Sequence, residues 1–262
     1  MPAARKPDEA SASPPGAAST LVRGLSVLEM VAAAGDGISV TEVAAQAGTD
    51  KSTASRLLAT MRELGYVQQR VRDRRYVLGS RCLWLAQAYQ ATHDHLVDLA
   101  RPHLAGLRDA TGETVHLAVR EGVHVVYVAQ EDSGQSVTVQ SVIGTRTPLQ
   151  RTAMGRAILA TMSERDRDRL LEQMRTSAAV SHAALDLDEM RADVRQAGIR
   201  GWAAVDRRDD VTRLAAAITD VRGEPIAAIT ISGPSYRVDP RVDDLGSAVA
   251  RVAGEVSAAL VG

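Results

Sequence analysis

The chain has 262 residues, 45% of them hydrophobic and only 3% aromatic, and its 31 Lys and Arg nearly balance 32 Asp and Glu for a formal charge of -1. That length suits one large or two modest domains and is ample for a core, which Ala, Val, Leu and Ile must build because there is no Phe. The lone Cys82 excludes a disulfide scaffold or a Cys-rich zinc module and suits a reducing cytoplasm. No run approaches the ~18 apolar residues of a membrane span.

Residues 1 to about 19 are Ala, Ser and Pro with scattered charge, a composition that cannot offset the entropy of ordering and reads as a disordered leader. Leu21, Leu25, Leu28, Val31 and Ala32 recur at helical spacing up to Gly35-Asp36-Gly37. The short apolar piece Ile38-Ser39-Val40 follows, then a second helix with Thr41 as its N-cap, closed by Gly48. Thr49-Asp50 caps a third helix whose Ala54, Leu57, Leu58, Met61 and Leu64 form one apolar stripe. Gly65 ends it, and Tyr66–Arg70 and Arg74–Leu78 flank a turn as two strands. Helix, short strand, helix, turn, helix and hairpin in that order is a winged helix-turn-helix.

Residues 80 to about 111 are again helical, interrupted by Pro102 and ended by Gly112. Thr114–Val119 and His124–Ala129 then form a hairpin about Glu121-Gly122. Beyond it, helices near 152–162, 164–174, 187–197 and 240–260 alternate with strands near 136–142, 201–205, 212–219 and 225–231. The fold class is α+β. The expected division is a leader over 1–19, a winged helix-turn-helix over 20–79, a linker helix over 80–97 and a second domain over 98–262.

The near-neutral total hides a segregation. Residues 51–76 carry seven basic against two acidic residues, a net +5, whereas 80–262 sum to -3. The positive charge therefore sits on the third helix and the hairpin, the elements a winged helix presents to a duplex. Ser52, Ser55 and Arg56 lie opposite the apolar stripe, where Arg can pair with guanine and small polar residues allow close approach. Lys51, Arg70, Arg72, Arg74 and Arg75 suit phosphate contacts. With few aromatic residues to stack unpaired bases, the expected partner is double-stranded operator DNA.

These segments resemble the IclR family of bacterial transcriptional regulators. Ile38–Ala44 is similar to its second-helix segment, Lys51–Leu58 to its recognition helix, and Gly65-Tyr66-Val67 with Tyr76–Gly79 to its wing. Ala100–Leu104, Thr111–Leu117, Ala153–Ala157 and Ile231–Pro234 resemble successive segments of its effector domain. The resemblance implies a GAF-like C-terminal effector-binding domain and a homodimer, commonly paired into a tetramer, acting as a repressor or activator in the cytoplasm. It adds Thr41 and Thr53 to the DNA-binding set. It also implies an effector, an organic acid or a less polar metabolite, held by the backbone of Ala153 and Met154 and by Asp206, Val211, Arg213, Thr230 and Ser232. The pattern departs at Arg213, where members similar to small-oxoacid binders carry Cys, and at Asp209-Asp210, where a segment usually ends in Gly.

Other candidates are weaker. His93-Asp94-His95 lacks the i, i+4 spacing by which two histidines share a zinc on a helix, so no metal or cofactor is expected. His116 either faces the effector cavity or is a satisfied structural histidine, and Cys82 reads as a small hydrophobe. Trp84 and Tyr89 read as interface residues. Catalytic signatures such as a Gly-x-Ser-x-Gly elbow or a phosphate-binding Gly loop are missing, so the chain does not read as an enzyme. The alternative is a small-molecule-processing enzyme whose N-terminal module localises or dimerises it.

Overall fold

The computed structural model describes residues 19–177, 187–206 and 209–261. The leader expected over 1–19 lies outside them except for Ser19, and so do Arg207 and Arg208. The described residues up to Thr92 form one compact unit, and those from His93 onward form a second.

The first unit contains α1 (Ser19–Ala33), α2 (Val40–Gln46), α3 (Lys51–Glu63), β1 (Val67–Gln69), β2 (Tyr76–Leu78) and α4 (Ser80–Ala91). α1 begins at Ser19 rather than Leu21, and it turns Val27 and Val31 into the core while Leu21 and Leu25 stay exposed. The cap of α2 is Ser39, not Thr41. Ser39 accepts from the Glu42 amide, and the Glu42 carboxylate accepts from the Ser39 amide at 2.7 Å. Such a reciprocal box satisfies two orphan amides where a lone Thr would satisfy one. Asp50 caps α3 as expected. Ala54 and Leu58 are fully buried, Leu57 and Met61 flank them, and Leu64 is exposed because the helix has ended. β1 and β2 pair antiparallel with Val67 opposite Leu78, and Ile38 bridges to Tyr76, which ties the wing to the start of α2. α4 buries none of its residues, and Leu83, Trp84 and Leu85 face solvent.

The second unit opens with α5 (Asp94–Thr111). The helical stretch breaks at Thr92-His93, and Pro102 sits inside α5 without ending it. Six antiparallel strands follow: β3 (Thr114–Glu121), β4 (His124–Glu131), β5 (Arg146–Pro148), β6 (Ala203–Asp206), β7 (Val211–Thr219) and β8 (Pro225–Pro234). Their order is β5-β4-β3-β8-β7-β6. The strand expected near 136–142 does not form, and β5 takes the edge beside β4. α5 and α10 (Val242–Ala259) pack on one face of the sheet, while α6 (Ala153–Thr161) and α8 (Leu187–Arg200) cover the other. α7 (Glu164–Thr176) adds Leu170, Leu171 and Met174 to the α6-side core, and α9 (Ser235–Val238) is a single turn. Without Phe, the sheet meets α6 with Ala118, Ala203, Ala215 and Ala228, a floor of methyl groups that lets the helix approach closely.

Candidate functional sites

In the first unit, Asp50 fixes where α3 begins. Its carboxylate accepts from the Thr53 amide at 2.8 Å and from the Thr53 hydroxyl at 2.7 Å, which commits that hydroxyl to the cap. Lys51, Ser52, Ser55 and Arg56 are all exposed on α3, opposite buried Ala54 and Leu58, and Thr41 is exposed on α2.

The wing arginines divide into two pairs. Arg75 donates to Gly37 O at 2.9 Å and grips both carboxylate oxygens of Glu42 at 2.9 and 3.0 Å. Ser39's amide, then its hydroxyl and the Arg75 guanidinium, hold Glu42 down to about 2, so the pair stays charged at any physiological pH. Arg70 donates to Asp36 O and pairs with Asp73 at 2.8 Å. Both side chains are about one-third exposed and lash the wing to the corner between α1 and α2. Arg72, 83% exposed, and Arg74, at φ 57, project from the turn. Sequence alone treated the four as equivalent.

In the second unit, strand pairing assembles the predicted effector residues. Directly opposed residues of antiparallel strands share a face. One such row runs Gln130, His116, Thr230, Ala215, Ala203. The next runs Thr114, Ser232, Arg213, Val205. Ala203, Val205 and Ala215 belong to the core under α6, so both rows face that helix. Thr230 and Ser232 are buried, and the Thr230 hydroxyl donates to Leu214 O at 2.9 Å. Val211, half-buried, is in phase with Arg213 on β7. Asp206 ends β6 paired with Thr212, so Val205 rather than Asp206 lies beside Arg213.

Ala153 and Met154 open α6 and are buried, behind an N-cap in which Thr152 accepts from the Gly155 amide at 2.9 Å. Arg213 is not available as an unpaired cation. Its guanidinium meets Asp209 bidentately at 2.9 and 3.0 Å and donates to Val211 O. Asp210 adopts φ 56 just before β7, in the left-handed region that favours glycine. A cavity of about 210 Å³ lies elsewhere, between α7 and α8, walled by Glu164, Arg167, Asp168, Arg191 and Arg195.

His116, which the sequence left open between two roles, lies in the first row. It is 1% exposed, and neither ring nitrogen finds a hydrogen-bond partner among the described residues. Gln150, just before α6, is also buried with both amide atoms unmatched. Neither residue type has a spacing signature, and the signal appears only once the strands are paired. His93 and His95 join no metal cluster, since no group of three or more His, Cys, Asp or Glu suited to a metal lies among the described residues. Burial pushes the Cys82 thiol up, and it contacts Tyr66 O.

Comparison with known proteins agrees with both units. The family model for the IclR helix-turn-helix domain matches residues 20–71, and that for the bacterial transcriptional regulator IclR C-terminal domain matches 88–258. The chain is 32% identical to the transcriptional repressor IclR of Escherichia coli (strain K12), over 98% of this chain and 96% of that protein. A transcriptional regulator from Rhodococcus sp. RHA1 superposes with a TM-score of 0.71 at 28% identity, over 92% of this chain and 97% of its own. An IclR homolog from Microbacterium hydrocarbonoxydans, solved in complex with 4-hydroxybenzoate, also reaches 0.71 at 22% identity, over 92% and 99%. With two family models in chain order and a relative aligned almost end to end, the chain belongs to the IclR family of bacterial transcriptional regulators.

Proposed function

We propose that this regulator places α3 in the major groove of an operator duplex, with the wing on the adjacent backbone, and that a small molecule on the α6 side of the effector sheet tunes that binding. The observation that carries the reading is the division of labour among the cations. Arg70 and Arg75 are committed inward, so Lys51, Arg56, Arg72 and Arg74 form the outward basic surface, with Ser52, Ser55 and Thr41 beside them. Phosphate neutralisation by these cations supplies salt-dependent affinity, and Arg56 with the serines reads base edges.

On this reading the functional division is DNA binding over 20–79, connection over 80–97 and effector binding over 98–262. Leu21 and Leu25 of α1 and Leu83, Trp84 and Leu85 of α4 are exposed apolar surface that a second copy would cover. A homodimer built there presents two recognition helices to half-sites about one helical turn apart, ~34 Å. Two dimers pair into a tetramer. The effector contacts are Ala153, Met154, Val211, Arg213, Thr230 and Ser232, with Asp206 at the end of β6. Ligand binding shifts the population between two spacings of the recognition helices, acting through the connection around Thr92, and a coupling of about 1–3 kcal/mol changes affinity roughly 5–150-fold. An organic acid reaches Arg213 only in exchange for Asp209, and a less polar metabolite needs no such exchange. Among the described residues no helix is long and apolar enough to cross a membrane, and a regulator of this kind works in the cytoplasm.

The test is fluorescence anisotropy of a labelled duplex taken from upstream of the protein's own gene, across a salt series. The parent should bind with an affinity that falls steeply with salt, and Arg56→Ala should bind more weakly and less selectively. Binding that ignores salt and is unchanged by Arg56→Ala and Arg72→Ala refutes the reading.

A further inference from the structure

His116 is a buried polar group without a described match. A neutral imidazole presents one N–H and one lone pair, and here both point into protein with no partner among the described residues. Native interiors leave few such groups unpaired, and those that remain call for a specific explanation. The neighbours do not supply one. Gln130, its partner across β4, approaches the ring but does not reach hydrogen-bond geometry. The Gln130 amide nitrogen is committed to Asp132 at 2.6 Å, and its oxygen to the Ser141 amide at 3.1 Å. Thr230, the partner across β8, donates to Leu214 O. Tyr127 offers a ring edge, with centroids 5.3 Å apart and planes at 70°.

The electrostatics of this face point the same way. Burial, helped by the nearby Arg213 charge and opposed by Gln130 and Asp132, holds His116 down to about 4, so at neutral pH the ring is uncharged. Arg213, the cation in the adjacent row, is neutralised by Asp209 at 2.9 Å. The face therefore combines a neutral donor–acceptor pair, the hydroxyl-bearing Thr114, Thr230 and Ser232, and a floor of alanines. Met154, fully buried at the start of α6, has an unbranched thioether chain, which changes rotamer more readily than a β-branched side chain.

We propose that His116 is the specificity-determining residue of the effector site and that it selects ligands carrying a hydroxyl or carbonyl group on an uncharged part of the molecule. This rests on the reading that the α6 side of the sheet takes the effector. A hydroxyl can match whichever ring nitrogen it meets, accepting from the N–H or donating to the lone pair. A carbonyl accepts from the N–H alone. A hydrocarbon of the same shape leaves the imidazole unmatched and is rejected, because a site built to hydrogen-bond a substrate hydroxyl discriminates strongly against the analogue lacking it.

The full-length chain, labelled with ¹³C-methyl Met and ¹⁵N-His, is titrated with matched pairs that differ by one hydroxyl: propionate and lactate, benzoate and 4-hydroxybenzoate, acetamide and glycolamide. The Met154 methyl reports on the face, and the His116 ring nitrogens report on the proposed contact. In at least one pair the hydroxylated member should bind 10-fold or more tightly and move both signals, and His116→Leu should bring that pair to within threefold. Probes that move Met154 but leave the His116 nitrogens still, or a parent that binds both members alike, overturn the role of His116 and leave the effector face standing. If no probe moves Met154, the reading of the face fails and the proposal fails with it. The parent spectra decide the matter even if His116→Leu does not fold.

Discussion

Acid should weaken the effector unit through His116 in a defined window. In the unfolded chain the ring takes up its proton as pH falls through its ordinary 6.5, whereas in the folded chain burial delays protonation to about 4. Between those values the unfolded state holds more protons, so stability falls as pH falls from 6.5 to 4, and this group contributes no slope outside that window. About 2.5 pH units at about 1.4 kcal/mol per unit gives about 3 kcal/mol, a large share of an ordinary domain's stability. The assay is urea unfolding of the full-length chain at pH 7, 6, 5 and 4, followed by the emission of Trp202, which is 4% exposed in the folded protein. Trp84, already 59% exposed, contributes little change. Comparison with His116→Leu cancels the carboxylates, and His124, which also titrates below its usual range. The stability difference between parent and variant should move by about 3 kcal/mol against the parent between pH 7 and pH 4. A difference constant across that range would show that the ring is not held neutral by burial, and the argument from its buried nitrogens would lose its electrostatic support.

Arg72→Ala and Arg74→Ala should each weaken operator binding and lower the slope of log affinity against log salt by about 1, as expected for the loss of one phosphate contact. Arg75→Ala should instead lower the melting temperature of the winged unit, because it breaks the tie to Glu42 and Gly37. Glu113 is buried and bidentate to Arg237 at 2.7 Å, so Glu113→Gln should cost about 3 kcal/mol in urea unfolding, the low end for breaking a buried pair because Arg237 keeps some contact with water. Gly246→Ala would drive a methyl group into the Trp202 ring. It should destabilise by about 1–3 kcal/mol despite the better helix propensity of Ala, with a shift in Trp202 emission.

Local chemistry was the most legible part of the sequence. The α3 stripe, the Asp50 cap and the hairpin about Gly122 all depend on residues within a few positions of one another. Even there one cap was misread. Ser39 and Glu42 stand in the Ser-x-x-Glu spacing of a capping box, a signal that the choice of Thr41 overlooks. Pro102 failed as a helix breaker because Leu96, Ala100, Leu104 and Leu107 bury the same side of α5, and that packing outweighs one lost hydrogen bond and a local clash. Val137 and Val139 alternate as a strand would, but β5 already holds the edge of β4, and the Ser141 amide binds the Gln130 side chain instead. The inward use of Arg70 and Arg75 depends on carbonyls more than thirty residues earlier in the chain. Whether His116 faces α6, and whether anything matches it, depends on β8, more than a hundred residues later. Composition and spacing do not reach that far.

That same pairing sets a schedule for biosynthesis. The centre of the effector sheet joins β3 (114–121) to β8 (225–234), the far ends of one domain. Strand pairing of such long range is slow to form, and on a ribosome it cannot begin until β8 has emerged. At ~5–20 residues per second, the hairpin of β3 and β4 waits on the order of 5–20 s with one edge uncovered. The described residues of the winged unit end at Thr92, before the first strand of the effector sheet begins. A nascent polypeptide therefore acquires its DNA-reading surface well before it acquires the means to sense a ligand. Truncated products ending short of β8 should accordingly behave as dominant, unresponsive binders, provided their unpaired strands escape aggregation.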